Sequence, residues 1–186
     1  EGQPAALIHF DAHTDTMHHL PHWLEAERSA AHWGSYVATE GNVDPRKSIQ
    51  LGLRGHTRTL NWKKTSAELG YGVIDIDEFR ELGVQKTVAA IRQRVGDTPA
   101  YITFDLDCLD PSVAPAVANL EPGVSGFSID EAVGLLQGLR GLNIIGADVV
   151  CMVPSKDSPN QITALTSTAV MFEQISLIAD TLASNT

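Results

Sequence analysis

Two short apolar runs that each stop at evenly spaced carboxylates constrain this chain more than any other feature. The first, Ala5-Ala6-Leu7-Ile8-His9-Phe10, leads into Asp11-Ala12-His13-Thr14-Asp15. A short apolar run of this kind is what a buried strand shows. Extended backbone past the strand end would place Asp11, His13 and Asp15 on one side by alternation. The second run, Ala100-Tyr101-Ile102-Thr103-Phe104, ends in Asp105-Leu106-Asp107. Two strands that end in spaced ligand-type side chains point to one shared metal centre. Hard divalent cations take anionic oxygen donors, and a nitrogen donor suits a borderline ion. Without a cation, four clustered carboxylates would repel one another and shift their pKa values.

Strand-like and helix-like segments alternate along the rest of the chain, which predicts an α/β fold with a largely parallel sheet. Further strands are expected at residues 48–53, 71–76 and 143–150. Val84, Val88, Ile91 and Val95 recur at helical spacing and predict an amphipathic helix. Ser128-Ile129-Asp130-Glu131 has the capping-box pattern and opens another, carrying Val133, Leu136 and Leu139. Leu165, Ala169, Phe172, Ile175, Ala179 and Leu182 give the last helix an apolar face. Residues 16–32 lack apolar periodicity and predict a loop with a turn of helix at 24–28, where a substrate-facing segment would lie. No repeat or linker divides the chain, so residues 1–186 are expected to form a single domain. The chain starts within four residues of a strand that should be central and covered by neighbours. The expectation is therefore the later part of a longer chain, its N-terminal part missing.

A formal charge of −10 argues against nucleic acid and anionic membranes as partners, since both need a basic surface. Cys108 and Cys151 are too few for a disulfide framework and fit a reducing, cytoplasmic location. No apolar run approaches the ~20 residues of a membrane helix, and no signal-like start is present.

Other polar clusters read as structural. Asp75-Ile76-Asp77 also follows a strand, but Asp77 is well placed to cap a short helix over the residues after it. His18, His19 and His22 lack acidic companions, and His9 inside its strand reads as a hydrogen-bonded core histidine. His32, beside Gly34 and downstream of the first cluster, is a candidate proton donor for a leaving amine. An Asp-x-His after a strand also occurs in dinuclear metallophosphoesterases, but their Gly-Asn-His segment is broken here by Gly41-Asn42-Val43.

These residues resemble the ureohydrolase family of arginases, agmatinases and guanidino-acid relatives. The matching stretches are Asp11-Ala12-His13-Thr14-Asp15, His32-Trp33-Gly34-Ser35, residues 48–55, residues 104–111 and Leu120-Glu121-Pro122-Gly123, with a weaker match at Asp148-Val149-Val150. They occur in family order, and the agmatinase-like branch is nearest. The resemblance implies a three-layer α/β/α fold and two divalent ions, manganese first and nickel second. It implies hydrolysis of a guanidino compound to urea and an amine. Asp11 and Asp105 resemble the bridging ligands; His13 and Asp107 would complete one ion and Asp15 would serve the other. Asp107 would take the nucleophile's proton, and His32 occupies the place of the family's proton-shuttle histidine. Homotrimers or hexamers are implied as well.

Departures from the family pattern are equally informative. The Gly-Gly-Asp-His segment that supplies a further histidine ligand is not found. The family's Asp-Val-Val-Glu reads Asp148-Val149-Val150-Cys151, so a neutral thiol stands where a carboxylate would bind the guanidinium. Losing such a charge-assisted partner costs ~2–4 kcal/mol. Cys151 thus marks a pocket for a substituted guanidine, or else a weakly active or non-catalytic subunit of a hetero-oligomer. Met17 replaces the asparagine of arginases, which disfavours arginine itself. The loop at residues 116–120 has also diverged.

Overall fold

Apolar strands that run parallel need long crossovers, and helices supply them here. The computed structural model describes residues 2–17, 26, 28–54, 61–121 and 123–184, the side chain of Trp62 aside. Its strands are β1 (Ala6–Phe10), β2 (Ile49–Leu53), β3 (Gly72–Asp75), β4 (Ala100–Asp105) and β5 (Ile144–Val150). They lie in the order β3-β2-β1-β4-β5, every neighbouring pair parallel. The helices are α1 (Trp33–Thr39), α2 (Trp62–Leu69), α3 (Ile76–Val95), α4 (Ile129–Gln137) and α5 (Ile162–Ser184).

Alternation along β1 separates the two faces of the sheet. Ala6, Ile8 and Phe10 enter the main core with Phe79 and Ile91 of α3, Leu135 of α4, and Val170 and Leu177 of α5. Leu7 turns to the opposite face, where Tyr71 and the half-buried Trp33, Val37 and Leu69 cover it from α1 and α2. The result is the three-layer α/β/α arrangement that the resemblance implies. At β2 the chain bulges between Leu51 and Leu53, with Gly52 at φ 89°. A Cβ there would meet the Phe127 ring at 2.5 Å, so only glycine fits beneath that ring.

The capping box at Ser128 and Glu131 is present in full. α3 joins the short helix after β3 to the amphipathic stretch across a break at Gly83 (φ 71°, ψ 172°). Its cap, however, is Asp75 and not Asp77: the Asp75 carboxylate accepts the Glu78 N–H at 2.8 Å. The strand ends one residue sooner than its apolar run, because Ile76 is buried equally well from the first helical turn. α2 has no counterpart in the sequence expectations. Its Lys63-Lys64-Thr65-Ser66 segment lacks an apolar stripe, yet Thr65 and Ser66 are buried.

α5 reverses the expected phase. Leu165 and Phe172 are 62% and 67% exposed, and Ile175, Ala179 and Leu182 are exposed as well. Its inward face carries Val170 and Leu177 among Thr163, Thr166, Gln174 and Thr181. These polar groups grip backbone of β5 and of the loop that precedes α4. Thr163 accepts the Ala116 N–H at 3.0 Å, Gln174 donates to the Asp148 carbonyl at 2.8 Å, and Thr181 accepts the Ile144 N–H at 3.0 Å. Satisfied hydrogen bonds decided which face went in. Contrary to the sequence expectation, this helix is also long and apolar enough by composition to cross a membrane.

Candidate metal centre

The register of β1 against β4 pairs Phe10 with Phe104, so Asp11 and Asp105 leave neighbouring strands side by side. Beyond the strand ends, Asp107 Oδ1 accepts the Ala12 N–H at 3.0 Å, and Asp105 Oδ1 accepts the Asp107 N–H at 2.9 Å. Asp11 Oδ1 receives the backbone N–H of His13 at 2.6 Å. His13 Nδ1 lies 3.2 Å from both Asp11 Oδ1 and Asp107 Oδ2, and its Nε2 is 2.9 Å from Glu121 Oε1.

Asp15 is held from α1. The Trp33 indole donates to Asp15 Oδ2 at 2.6 Å, and the Gly34 N–H donates to the Asp15 carbonyl at 2.9 Å. A Cβ on residue 34 would stand 3.0 Å from that carbonyl oxygen, which accounts for the glycine. Asp15, Glu121 and Cys151 are all non-glycine residues with positive φ, at 50°, 45° and 68°. Left-handed backbone at three residues of one site is strain held by the surrounding contacts.

Ligand-type atoms converge in two triads, Asp11–His13–Asp107 and His9–Asp11–Asp15, each with its donor atoms within 4.8 Å of one another. Asp105 belongs to neither triad among the described residues, although its charge is felt by its neighbours. Burial first, then Asp11 and Asp107, pushes its carboxyl up to about 9. Burial and then Asp11 push Asp15 up to about 7, and burial raises Asp107. Burial alone would raise Asp11 too, but hydrogen bonds from His13 and His9 hold it low. Burial opposes charge on His13, yet Asp107 and Asp11 push it up to about 12. Three buried carboxylates and the half-buried Asp15 thus crowd one end of the sheet, an imbalance that divalent cations would correct. The donor set of oxygens plus one imidazole nitrogen fits such ions.

His32 is buried at the junction of a short 3-10 turn and α1. Its Nδ1 meets the Ser29 hydroxyl, and its ring stacks on Tyr36. Cys151, exposed just after β5, has its thiol hydrogen-bonded to Asp105; partial desolvation and that carboxylate raise its pKa and keep it neutral. A cavity of about 440 Å³ opens beside these groups, lined by Asp11, Asp15, Asp105 and Cys151 at one end and by Leu7, Val37 and Tyr101 at the other. His18, His19, His22 and the helical turn expected at 24–28 lie outside the described residues, Ala26 and Arg28 apart.

Sequence reasoning passed over several residues that build the site. Glu121 backs His13, as outer carboxylates commonly do for ligating histidines. Arg54, 5% exposed, donates to the carbonyls of Asp107, Leu109, Leu120, Glu121 and Val124, tying two loops to the end of β2. His9 is indeed a hydrogen-bonded core histidine, but its partner is Asp11 at 2.8 Å. Alternation could have revealed it, since residues 9 and 11 share a face.

The Arginase family model matches residues 1–176 of this chain. An agmatinase of Photorhabdus laumondii is 37% identical over 174 residues, covering 94% of this chain and 52% of the relative. A guanidinopropionase of Pseudomonas aeruginosa is 37% identical over 183 residues, covering 97% and 55%. The solved proclavaminate amidino hydrolase of Streptomyces clavuligerus superposes with a TM-score of 0.86 at 31% identity, over 96% of this chain and 57% of that one. The chain spans about half the length of the curated relatives it matches. The family match across nearly all of the chain, the shared sequence and the shared fold lead to one conclusion: this chain belongs to the arginase family.

Proposed function

We propose that this chain carries the dinuclear metal centre of an amidinohydrolase that splits a guanidino compound into urea and an amine. The observation that carries the reading is the Asp11–His13–Asp107 triad beside Asp15 and Asp105, at the tips of adjacent parallel strands. The names of the relatives (agmatinase, guanidinopropionase and proclavaminate amidino hydrolase) support a guanidino substrate. Asp11 and Asp105 would bridge two ions, manganese first and nickel second; His13 and Asp107 would complete one and Asp15 the other. When bound, such a pair lowers the pKa of a shared water and stabilises charge on the reacting carbon's substituents.

The remaining roles belong to the chain itself. Asp107 Oδ2 is the acceptor for the nucleophile's proton, and His32 donates one to the departing amine. Cys151 presents a neutral thiol wall where the family places a carboxylate, which favours a substituted or less symmetric guanidine. A single domain over residues 1–186, trimeric or hexameric assembly and a cytoplasmic setting belong to the same reading.

Urea release should be assayed over a panel of guanidino compounds with manganese or nickel. Urea from at least one compound is the expected result. Two ions per chain with no urea from any compound would favour a non-catalytic subunit instead.

A further inference from the structure

His9 has two readings: a nitrogen ligand completing the His9–Asp11–Asp15 triad, or a support for Asp11. Its neighbour decides between them. His9 pairs in register with Gln50 on β2, and both side chains are essentially excluded from solvent. Gln50 Nε2 lies 3.0 Å from His9 Nδ1 and 2.6 Å from the carbonyl oxygen of Thr14. A carbonyl oxygen only accepts, so the group facing it must be the amide's NH2; the reversed amide would set two acceptors 2.6 Å apart. The second amide hydrogen then points at His9 Nδ1, which must accept it. Gln50 Oε1 meanwhile has no hydrogen-bond partner among the described residues, so nothing on that side favours the reversed amide. With Nδ1 an acceptor, the ring proton sits on Nε2, 2.8 Å from Asp11 Oδ2.

We infer that His9 is a positioning residue, locked by Gln50 as the Nε2-protonated tautomer, that fixes the Asp11 carboxylate for metal without ligating an ion itself. The inference rests on the metal-centre reading above. The Nε2 lone pair that a metal bond needs is occupied by a proton, and that proton is held by Asp11. Asp11 is thereby gripped at both oxygens, by His9 at Oδ2 and by the His13 N–H at Oδ1. Its plane is set before any ion arrives, which is how outer-shell partners tune a ligand. Asp15 and Asp11 then offer their ion oxygens only.

The test uses the intact chain, labelled with nitrogen-15 and loaded with cadmium-113. Long-range proton–nitrogen spectra of the His9 ring in the loaded chain should show protonated Nε2 and unprotonated Nδ1. Cadmium coupling should appear at a His13 nitrogen and not at His9. A coupling at His9 Nε2, or a proton on Nδ1, overturns the inference. In manganese titrations, His9→Phe should keep the wild-type number of ions while weakening binding about 10–100-fold. Gln50→Leu, which retains the ring but frees its tautomer, should weaken binding less. Loss of one whole ion in His9→Phe would make His9 a ligand and overturn the inference alone. A wild-type chain that binds no ion would overturn the metal centre itself.

Discussion

Asp107 Oδ1 accepts the N–H of Ala12 at 3.0 Å, so the carboxylate beyond β4 is built into the turn that follows β1. The same side chain faces His13 through Oδ2, and its two oxygens therefore do separate work. Asp107→Asn keeps an acceptor for Ala12 and removes the charge. The variant should fold, and without metal it should melt no lower than wild type, because a repelling carboxylate is gone. Manganese affinity should fall more than about 100-fold, beyond the usual effect of an outer-shell change. Metal analysis of the purified variant showing undiminished ion content would remove Asp107 from the ligand set.

The metal-free protein should lose stability as pH rises. Asp15 and Asp105 titrate near 7 and 9 when folded, against an ordinary value of 3.8. A raised folded pKa gives stability that is complete below the unfolded value and lost as pH climbs through the folded one. His13, raised to about 12, adds to the same trend above its ordinary 6.5. Melting temperatures in chelator should therefore decline steadily from about pH 4 to about pH 9, and saturating manganese should flatten the decline. A rise over that range in chelator would contradict the carboxylate cluster.

How far the sequence spoke for itself depended on whether a residue's role was local. Asp11, His13 and Asp15 were legible as ligand-type side chains closing an apolar run, but not through alternation: the chain leaves the extended conformation after Phe10, bends at residues 12, 13 and 15, and turns left-handed at Asp15 (φ 50°). The Ser128–Glu131 capping box was legible because both of its bonds close within one turn. Gln50, Glu121 and Arg54 were not, because each acts on residues 36 to 108 positions away through the sheet register and loop packing. α5 shows the remaining gap. Its periodicity announced a helix with an apolar face, but only the backbone groups of Ile144, Ala116 and Asp148 reveal why threonines and Gln174 face inward.

That reversed phase can be tested on stability. Leu177 is 5% exposed within the core, and Phe172, one helical turn and a half away, is 67% exposed. Leu177→Ala should cost about 2–4 kcal/mol in urea unfolding, from lost burial and the cavity left behind. Phe172→Glu should change stability by less than about 0.5 kcal/mol. The opposite ranking would restore the apolar face to the core.

Arg54 reaches five carbonyls with a planar fork that lysine cannot reproduce. Arg54→Lys should therefore destabilise the chain by about 2–3 kcal/mol, the cost of leaving buried acceptors unpaired. Because the carbonyl of Asp107 is one of the five, ion affinity should weaken together with the fold. Denaturant curves and manganese titrations that move independently would show that the loop needs no such anchor.

Cys151→Glu places a carboxylate next to Asp105, whose own carboxyl is already pushed up to about 9. In chelator the variant should melt below wild type, since a further acidic group joins a cluster short of countercharge. The backbone at residue 151 is left-handed with cysteine as it would be with glutamate, so the substitution adds no new backbone strain of its own. With manganese bound, the new carboxylate can accept from the guanidinium N–H groups. A charge-assisted hydrogen bond of about 2 kcal/mol corresponds to roughly 30-fold in kcat/KM. Urea release from agmatine or guanidinobutyrate should rise by that order, with little gain for bulkier substituted guanidines. If neither simple substrate gains, the neutral thiol is not what sets the specificity of this pocket.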